Sequence, residues 1–186
     1  YTIAGKPCVS LAPPTWLAFK RCLFWGFFPS PSCSRTEQKQ LQWRWHQVRQ
    51  LLRPKRRWVL EAHALKADER VMAEIWQIPN GNYVLPLISW ERQETSPHFD
   101  LDVQLLVRLQ DAASVRAAYV TSPDALGLRR LPLERASDGT LRVVLPRLKT
   151  AAAVILANTG KFVALGDEFI AQRGKPTPIH LTADNW

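Results

Sequence analysis

Paired carboxylates are the first residues to consider, because glycoside hydrolysis uses two of them on either side of the scissile bond. Asp100 and Asp102 lie two positions apart, so on a strand both side chains would point to one face. That face is opposite an apolar row, which predicts two solvated surface acids. Glu61 and Glu74 could oppose each other on neighbouring strands, where like charges are mildly destabilising and therefore indicate exposure. We predict no catalytic residue among these four carboxylates.

The histidines and cysteines do not form a metal-binding pattern. His46, His63, His98 and His180 are scattered over unrelated segments, without a second ligand at a suitable spacing. The three cysteines lie within the first 33 residues without C-x-x-C spacing, so one disulfide with a free thiol and three free thiols are both open. The sequence also lacks G-x-S-x-G, Walker and dinucleotide-binding motifs. We therefore predict no metal site and no cofactor.

The positive charge is concentrated in one segment. Between Arg35 and Arg57 there are eight basic residues and one acidic residue, so this segment carries +7 of the total net charge of +9. Trp43, Trp45 and His46 lie among these charges, as aromatic residues do in some nucleic-acid-binding surfaces. Because Trp45 belongs to an apolar stripe, we interpret the charges as the solvated face of a helix. Nucleic-acid binding is a disfavoured alternative.

Tryptophan is frequent in this chain, with eight in 186 residues. A tryptophan ring can stack on a sugar ring, but large aromatic side chains are first of all core material. Trp45, Trp58 and Trp76 are assigned to packing. Trp25, beside a glycine in the run Leu-Phe-Trp-Gly-Phe-Phe, is the candidate ligand contact, and core packing is its alternative.

Two elements are predicted before Trp58. The segment Leu17–Phe28 contains a continuous apolar run, which favours a buried strand. A helix follows, because Ser34 and Glu37 have the spacing of a capping box and Pro54 ends the pattern. The apolar stripe of this helix recurs with a helical period and comprises Leu41, Trp45, Val48 and Leu52.

The apolar period changes to two after Trp58, which is typical of antiparallel strands. The clearest example is His98–Leu109, where one row is apolar and the other is mostly polar. Turn signals lie at Pro79–Asn82 and Ser137–Thr140. Further strands are predicted at 58–65, 70–78, 83–89, 115–121, 131–135, 141–145 and 152–157, with an edge pair at 162–165 and 179–182. This spacing favours a mainly β fold, either a sandwich or a barrel.

The chain shows no targeting or membrane-spanning segment. Tyr1 is not followed by a basic region and an apolar core of the kind found in signal peptides. The most apolar stretch, Leu23–Pro31, is too short to cross a bilayer, so we predict no membrane partner. We interpret the beginning, Tyr-Thr-Ile-Ala-Gly-Lys-Pro, as the edge of a fragment of a longer protein.

The order of these features resembles the C-terminal junction of glycoside-hydrolase-like proteins. There, the last strand and helix of a (β/α)8 barrel lead into an antiparallel β-sandwich. The resemblance lies in Leu-Phe-Trp-Gly-Phe-Phe-Pro, in the helix end Leu-Leu-Arg-Pro-Lys-Arg-Arg-Trp, and in the segments Val120–Leu148 and Leu141–Asn158. It covers nearly the whole chain as a pattern of elements.

The resemblance implies a division into residues 1–57, the terminal β/α unit of an incomplete barrel, and residues 58–186, an accessory sandwich. A complete barrel needs about 200 residues or more, so the catalytic acids are expected outside this chain. Phe24 and Trp25, near the end of the expected barrel strand, are implied substrate contacts.

The implied function is that of an accessory portion of a glycoside hydrolase acting on poly- or oligosaccharides. Its partners would be carbohydrate, bound through the parent barrel, and an upstream domain of the same protein. The main alternative is a non-enzymatic carbohydrate-binding or protein-interaction module.

Overall fold

The computed structural model describes residues 9–10, 15–25, 28–29, 36–41, 57–59, 65–77, 81–89, 101–125 and 127–158. Within these ranges the fold is mainly β, and two antiparallel sheets pack face to face on a shared apolar core. This confirms the predicted fold class and, of the two predicted architectures, the sandwich.

A short β-α-β segment precedes the sandwich. Strand β1 (Val9–Ser10) pairs in parallel with strand β2 (Phe28–Pro29), and helix α1 (Trp16–Trp25) connects them. Parallel strands need a crossover connection, which α1 provides. Residues 36–41 are helical as well and are called α2.

The prediction of a strand over Leu17–Phe28 is wrong, because most of this run is helix α1. The backbone N–H of Ala18 donates to the hydroxyl of Thr15 at 3.2 Å, so Thr15 caps the helix. Trp16, Phe19 and Leu23 recur at helical spacing on its buried face. The apolar residues between them hide this period in the sequence.

The start of the second predicted helix is confirmed by α2, in which Leu41 is buried. The other members of its predicted stripe, Trp45, Val48 and Leu52, lie outside the described residues.

The larger sheet has seven strands within the described part of the chain. They are β3 (Arg57–Trp58), β5 (Val71–Ala73), β6 (Trp76–Gln77), β7 (Tyr83–Ser89), β9 (Ala117–Thr121), β10 (Arg129–Leu131) and β13 (Ala151–Ala157). Their order is β10-β9-β13-β7-β6-β3, and β5 also pairs with β7.

The smaller sheet has four described strands in the order β11-β12-β8-β4. They are β4 (Leu65–Lys66), β8 (Leu101–Val107), β11 (Leu133–Arg135) and β12 (Leu141–Leu148). A 3-10 helical turn at Ala112–Ser114 leads from β8 to β9.

Two predicted strands are each divided between the two sheets. The predicted strand 58–65 begins in β3 of the larger sheet and ends in β4 of the smaller one. The predicted strand 131–135 is divided at Pro132 between β10 and β11, since proline cannot donate to a sheet ladder. The predicted edge pair at 162–165 and 179–182 lies outside the described residues.

The two sheets differ in how they are covered. Strands β7 and β13 are buried along their whole length, because the smaller sheet covers one face of the larger sheet and α1 packs on the other. Strand β12 alternates between buried and exposed residues, which fits a sheet covered on one face. In β8, Val103, Leu105 and Val107 are buried while Asp102 is exposed, which confirms the predicted alternation.

Candidate functional site

The most distinctive contact surface lies between α1 and the outer face of the larger sheet; we call it the helix–sheet junction. Trp16, Phe19, Leu23 and Phe24 of α1 form one apolar cluster with residues of β7 and β13. The strand residues in this cluster are Val84, Ile88, Ala151, Ala153, Ile155 and Ala157. The small alanine side chains allow a helix to approach the sheet closely.

The two predicted substrate contacts, Phe24 and Trp25, differ in burial. Phe24 is 1% exposed and belongs to the apolar cluster, so its surroundings favour packing. Trp25 is half-buried, and its ring makes edge-to-face contacts with Phe24 at 5.0 Å and with Trp76 at 6.3 Å between centroids. Both residues end a helix and not a strand, which corrects the position on which their predicted role was based.

A buried lysine crosses the helix–sheet junction. The ammonium group of Lys20 in α1 donates to the hydroxyl of Ser89, at the end of β7, with a distance of 2.6 Å. The two residues are 3% and 1% exposed. Burying an ammonium group is costly unless it is hydrogen-bonded, so this bond constrains where α1 can lie on the sheet.

Glu74 lies on the same outer face as the helix–sheet junction. The pairing of β5 and β6 with β7 keeps one register, from Val71 opposite Ser89 to Gln77 opposite Tyr83. This register places Met72, Glu74 and Trp76 in one outer row, since side chains alternate along a strand. The backbone N–H of Glu74 donates to the carbonyl of Pro86 at 3.4 Å. Pro86 has no N–H to donate in return, which explains the interruption between β5 and β6.

The carboxyl group of Glu74 has an unfavourable environment. The residue is half-buried, and desolvation raises the pKa of its carboxyl group above the ordinary value. Among the described residues, no hydrogen bond or ion pair satisfies this carboxylate. A half-buried carboxylate without a partner is unusual, because buried polar groups are normally hydrogen-bonded.

Asp102 and Asp124 form hydrogen bonds that link distant parts of the chain. The exposed Asp102 accepts the backbone N–H of Arg147 at 3.0 Å, where β12 bulges and Arg147 has a φ of 57°. Asp124 accepts the N–H and the hydroxyl of Thr150, both at 2.9 Å, and so ties two loops together. The predicted surface exposure of Asp102 is confirmed, while Asp100 and Glu61 lie outside the described residues.

Tyr83 and Asp111 form a polar contact at one end of the core. The hydroxyl of Tyr83 donates to Asp111 at 2.6 Å and accepts from the side-chain amide of Gln77 at 3.3 Å. The backbone N–H of Ser114 donates to the carbonyl of Asp111 at 2.8 Å and closes the 3-10 helical turn, and the Ser114 hydroxyl donates to the same carbonyl at 2.7 Å. This network joins β6, β7 and the connection between the sheets.

Several predicted features fall outside the described ranges. All four histidines do, as do Trp43, Trp45 and the basic residues from Arg44 to Arg56. Within the described ranges, no three histidine, cysteine, aspartate or glutamate residues come together as metal ligands. None of the helices described there is long and apolar enough to cross a membrane.

The predicted exposure of Glu74 is wrong, because the residue is half-buried on the outer face of the larger sheet. Neither Lys20 nor Glu74 was predicted to belong to this surface. Lys20 interrupts an apolar run at a position four residues after Trp16, which is a signal for the buried face of a helix. Glu74 has Met72 and Trp76 two positions away on either side, so strand alternation puts it in an apolar row. The first signal is useful only if the segment around Lys20 is known to be a helix. The second is useful only if the outer face of the larger sheet is known to be covered.

Comparisons with known proteins identify relatives of the fold. No protein-family model matches the chain, and no match was found among curated protein sequences. Among solved structures, a cycloisomaltooligosaccharide glucanotransferase of Paenibacillus sp., complexed with cycloisomaltoheptaose, matches with a TM-score of 0.58 and 14% identity. The match covers 77% of this chain and 27% of the glucanotransferase, so the chain spans about a quarter of that protein.

Two further structures are similar at lower scores. The catalytic domain of xylanase C of glycoside hydrolase family 30, from Talaromyces cellulolyticus, has a TM-score of 0.45 and 10% identity, covering 83% of this chain and 39% of its own. An α-L-fucosidase isoenzyme 2 from Paenibacillus thiaminolyticus has a TM-score of 0.40 and 15% identity, covering 63% and 18%. At these identities the glucanotransferase match shows the shared fold alone.

Proposed function

We propose that this chain is the C-terminal part of a glycoside-hydrolase-like protein acting on poly- or oligosaccharides. In this proposal, residues 1–57 are the end of a (β/α)8 barrel and residues 58–186 form an accessory sandwich. The observation that carries the proposal is the parallel β1-α1-β2 segment packed against an antiparallel sandwich.

The β1-α1-β2 segment has the connectivity of a barrel repeat. Its two strands are parallel, with Val9 opposite Phe28 and Ser10 opposite Pro29, and α1 is the crossover. An isolated parallel pair would leave most of its backbone groups unpaired, so the segment favours a larger parallel sheet. The fold likeness to the glucanotransferase supports a carbohydrate-active parent.

The proposal also predicts which end of the β1-α1-β2 segment would face the substrate. In a (β/α)8 barrel the helices run opposite to the strands, and substrates bind at the C-terminal ends of the strands. The end of β2 at Pro29 would therefore face the substrate. Trp25, at the C-terminal end of α1, would lie at the opposite, non-catalytic end.

An activity assay on two proteins tests the proposal. The longer natural protein should release reducing sugar from a glucan, a xylan or a fucosylated oligosaccharide, whereas the present chain should release none. The reason is that the general acid and the nucleophile or base would be supplied by upstream barrel strands. Hydrolysis by the present chain alone, or a longer protein inactive on every one of these substrates, would contradict it.

A further inference from the structure

Beyond the accessory role, we propose that Glu74 and Trp25 form a saccharide-binding site at the flank of α1. It depends on the larger sheet and α1 alone, so it does not rest on the existence of the barrel.

Glu74 and Trp25 are both neighbours of Trp76. Glu74 and Trp76 are neighbours in one outer row, and about 7 Å separates alternate residues along a strand. The Trp25 ring lies 6.3 Å from the Trp76 ring, nearly perpendicular to it. Trp76 is buried, whereas Glu74 and Trp25 are each half-buried. The carboxylate of Glu74 and the indole ring of Trp25 are therefore two partly exposed groups beside a buried Trp76.

The carboxylate of Glu74 has acceptor sites that the described residues do not fill. Its carboxylate is partly removed from water, and no described residue donates to it. An ionised carboxylate has about four acceptor sites. A ligand with hydroxyl groups would supply the donors that the protein does not, and hydrogen bonds to a charged group are among the stronger ones.

A carboxylate beside a flat apolar ring matches the chemistry of a saccharide. A pyranose presents hydroxyl groups at its rim and C–H groups on its face, and these match an acceptor beside an indole. An organic cation would also suit a carboxylate, but a quaternary ammonium group has no N–H to donate to the acceptor sites of Glu74. A saccharide has hydroxyl donors for these sites and a C–H face for the half-buried Trp25, so the pair favours the saccharide.

Calorimetric titration of the 186-residue chain tests this site. The probes are an isomalto-oligosaccharide, a xylo-oligosaccharide and choline. We expect at least one oligosaccharide to bind, and we expect Glu74→Gln and Trp25→Leu each to weaken binding about tenfold or more. Glu134→Gln, at an exposed carboxylate of the smaller sheet, should leave the affinity unchanged.

The variants are chosen to keep the fold. Glu74→Gln preserves the shape of the side chain, and Trp25→Leu keeps an apolar group over Trp76. If Trp25→Leu fails to fold, the tryptophan fluorescence of the wild type and of Glu74→Gln during titration replaces it. The proposal is overturned if neither oligosaccharide binds at millimolar concentration, if Glu74→Gln binds like the wild type, or if choline alone binds. None of these results bears on the accessory role, which the activity assay tests separately.

Discussion

The carboxyl group of Glu74 makes the stability of the fold depend on pH. Its carboxyl group is desolvated in the folded state, which raises its pKa above the ordinary value of 4.5. At lower pH the group is protonated in both folded and unfolded states. Above the raised pKa it is ionised in both states, and the folded state then holds a poorly solvated charge. The stability that depends on this group therefore falls as pH rises.

We accordingly predict that Glu74→Gln raises the free energy of unfolding at neutral pH. The gain should be less than about 1 kcal/mol, because the carboxyl group still contacts solvent. It should disappear below pH 4.5, where the wild-type group is protonated in both states. Urea unfolding at several pH values measures this, with Glu134→Gln as the control for loss of a negative charge. A gain that does not vary with pH would contradict the desolvation argument.

Asp68 and Arg70 form the opposite case, in which a partner lowers a pKa. The Arg70 guanidinium donates to both carboxylate oxygens of Asp68, at 2.9 and 2.8 Å, and its backbone N–H donates at 2.9 Å. These bonds hold the pKa of Asp68 at about 2. Any stability from this pair is present above pH 3.8 and is lost as pH falls towards 2.

We expect Arg70→Gln to return the pKa of Asp68 most of the way to 3.8, as followed by NMR titration of the carboxyl carbon. Arg108→Gln is the contrast. The pKa of Asp138 is lowered mainly by the N–H and hydroxyl of Thr140, and only to a minor extent by Arg108. Removing Arg108 should therefore change the pKa of Asp138 less than removing Arg70 changes that of Asp68. Equal changes in the two pKa values would contradict this difference between Arg70 and Arg108.

At the scale of elements, the Lys20–Ser89 bond is a polar link between α1 and the larger sheet. Ser89→Ala removes the acceptor and leaves a buried ammonium group less well satisfied, which should cost about 1–3 kcal/mol. Lys20→Met removes the ammonium group, so in that background the loss of the Ser89 hydroxyl leaves no buried charge without its acceptor. Ser89→Ala should therefore cost less in Lys20→Met than in the wild type.

A double-mutant cycle measured by chemical unfolding tests this prediction. Additive losses from the two single substitutions would show that the bond does not couple the helix to the sheet. Near-ultraviolet circular dichroism adds a second readout, since Trp25 and Trp76 report the position of α1. A weaker tryptophan signal in Lys20→Met at unchanged stability would indicate that the bond fixes the register of the helix.

Strand β8 and helix α1 differ in whether their type could be predicted from the sequence. Strand β8 was predictable because one of its faces meets solvent, so its apolar residues alternate with polar ones. Helix α1 was not, because apolar residues flank its buried stripe and the Thr15 cap is a weak signal in the sequence. The position of Trp25 beside Trp76 could not be predicted either, because it follows from where α1 lies on the sheet.

For the whole molecule, the helix–sheet junction joins the N-terminal segment to the sandwich. Without α1, the outer face of the larger sheet would expose apolar residues of β7 and β13 that are now buried, among them Val84, Ile88 and Ile155. We expect a fragment of residues 58–186 to associate or to bind a hydrophobic dye. A fragment of residues 15–186, which keeps α1, is the matched control.

Analytical ultracentrifugation and dye fluorescence of the two fragments check this expectation. A monomeric fragment 58–186 that does not bind the dye would show that the sandwich is complete without α1. That result would support an independent accessory domain whose contact with the upstream segment is a surface contact. Association of both fragments alike would show that α1 does not protect this face.

The most direct test of the central claim is the coding sequence upstream of Tyr1. If the chain is the end of a glycoside-hydrolase-like protein, this sequence should encode several hundred residues of alternating strands and helices, with aspartate or glutamate at the C-terminal ends of strands. In that case β1 and β2 are barrel strands and the catalytic acids can be assigned. An initiator codon or a signal sequence immediately before Tyr1 would contradict the barrel, and the chain would then be a small β protein with a helix-covered sheet.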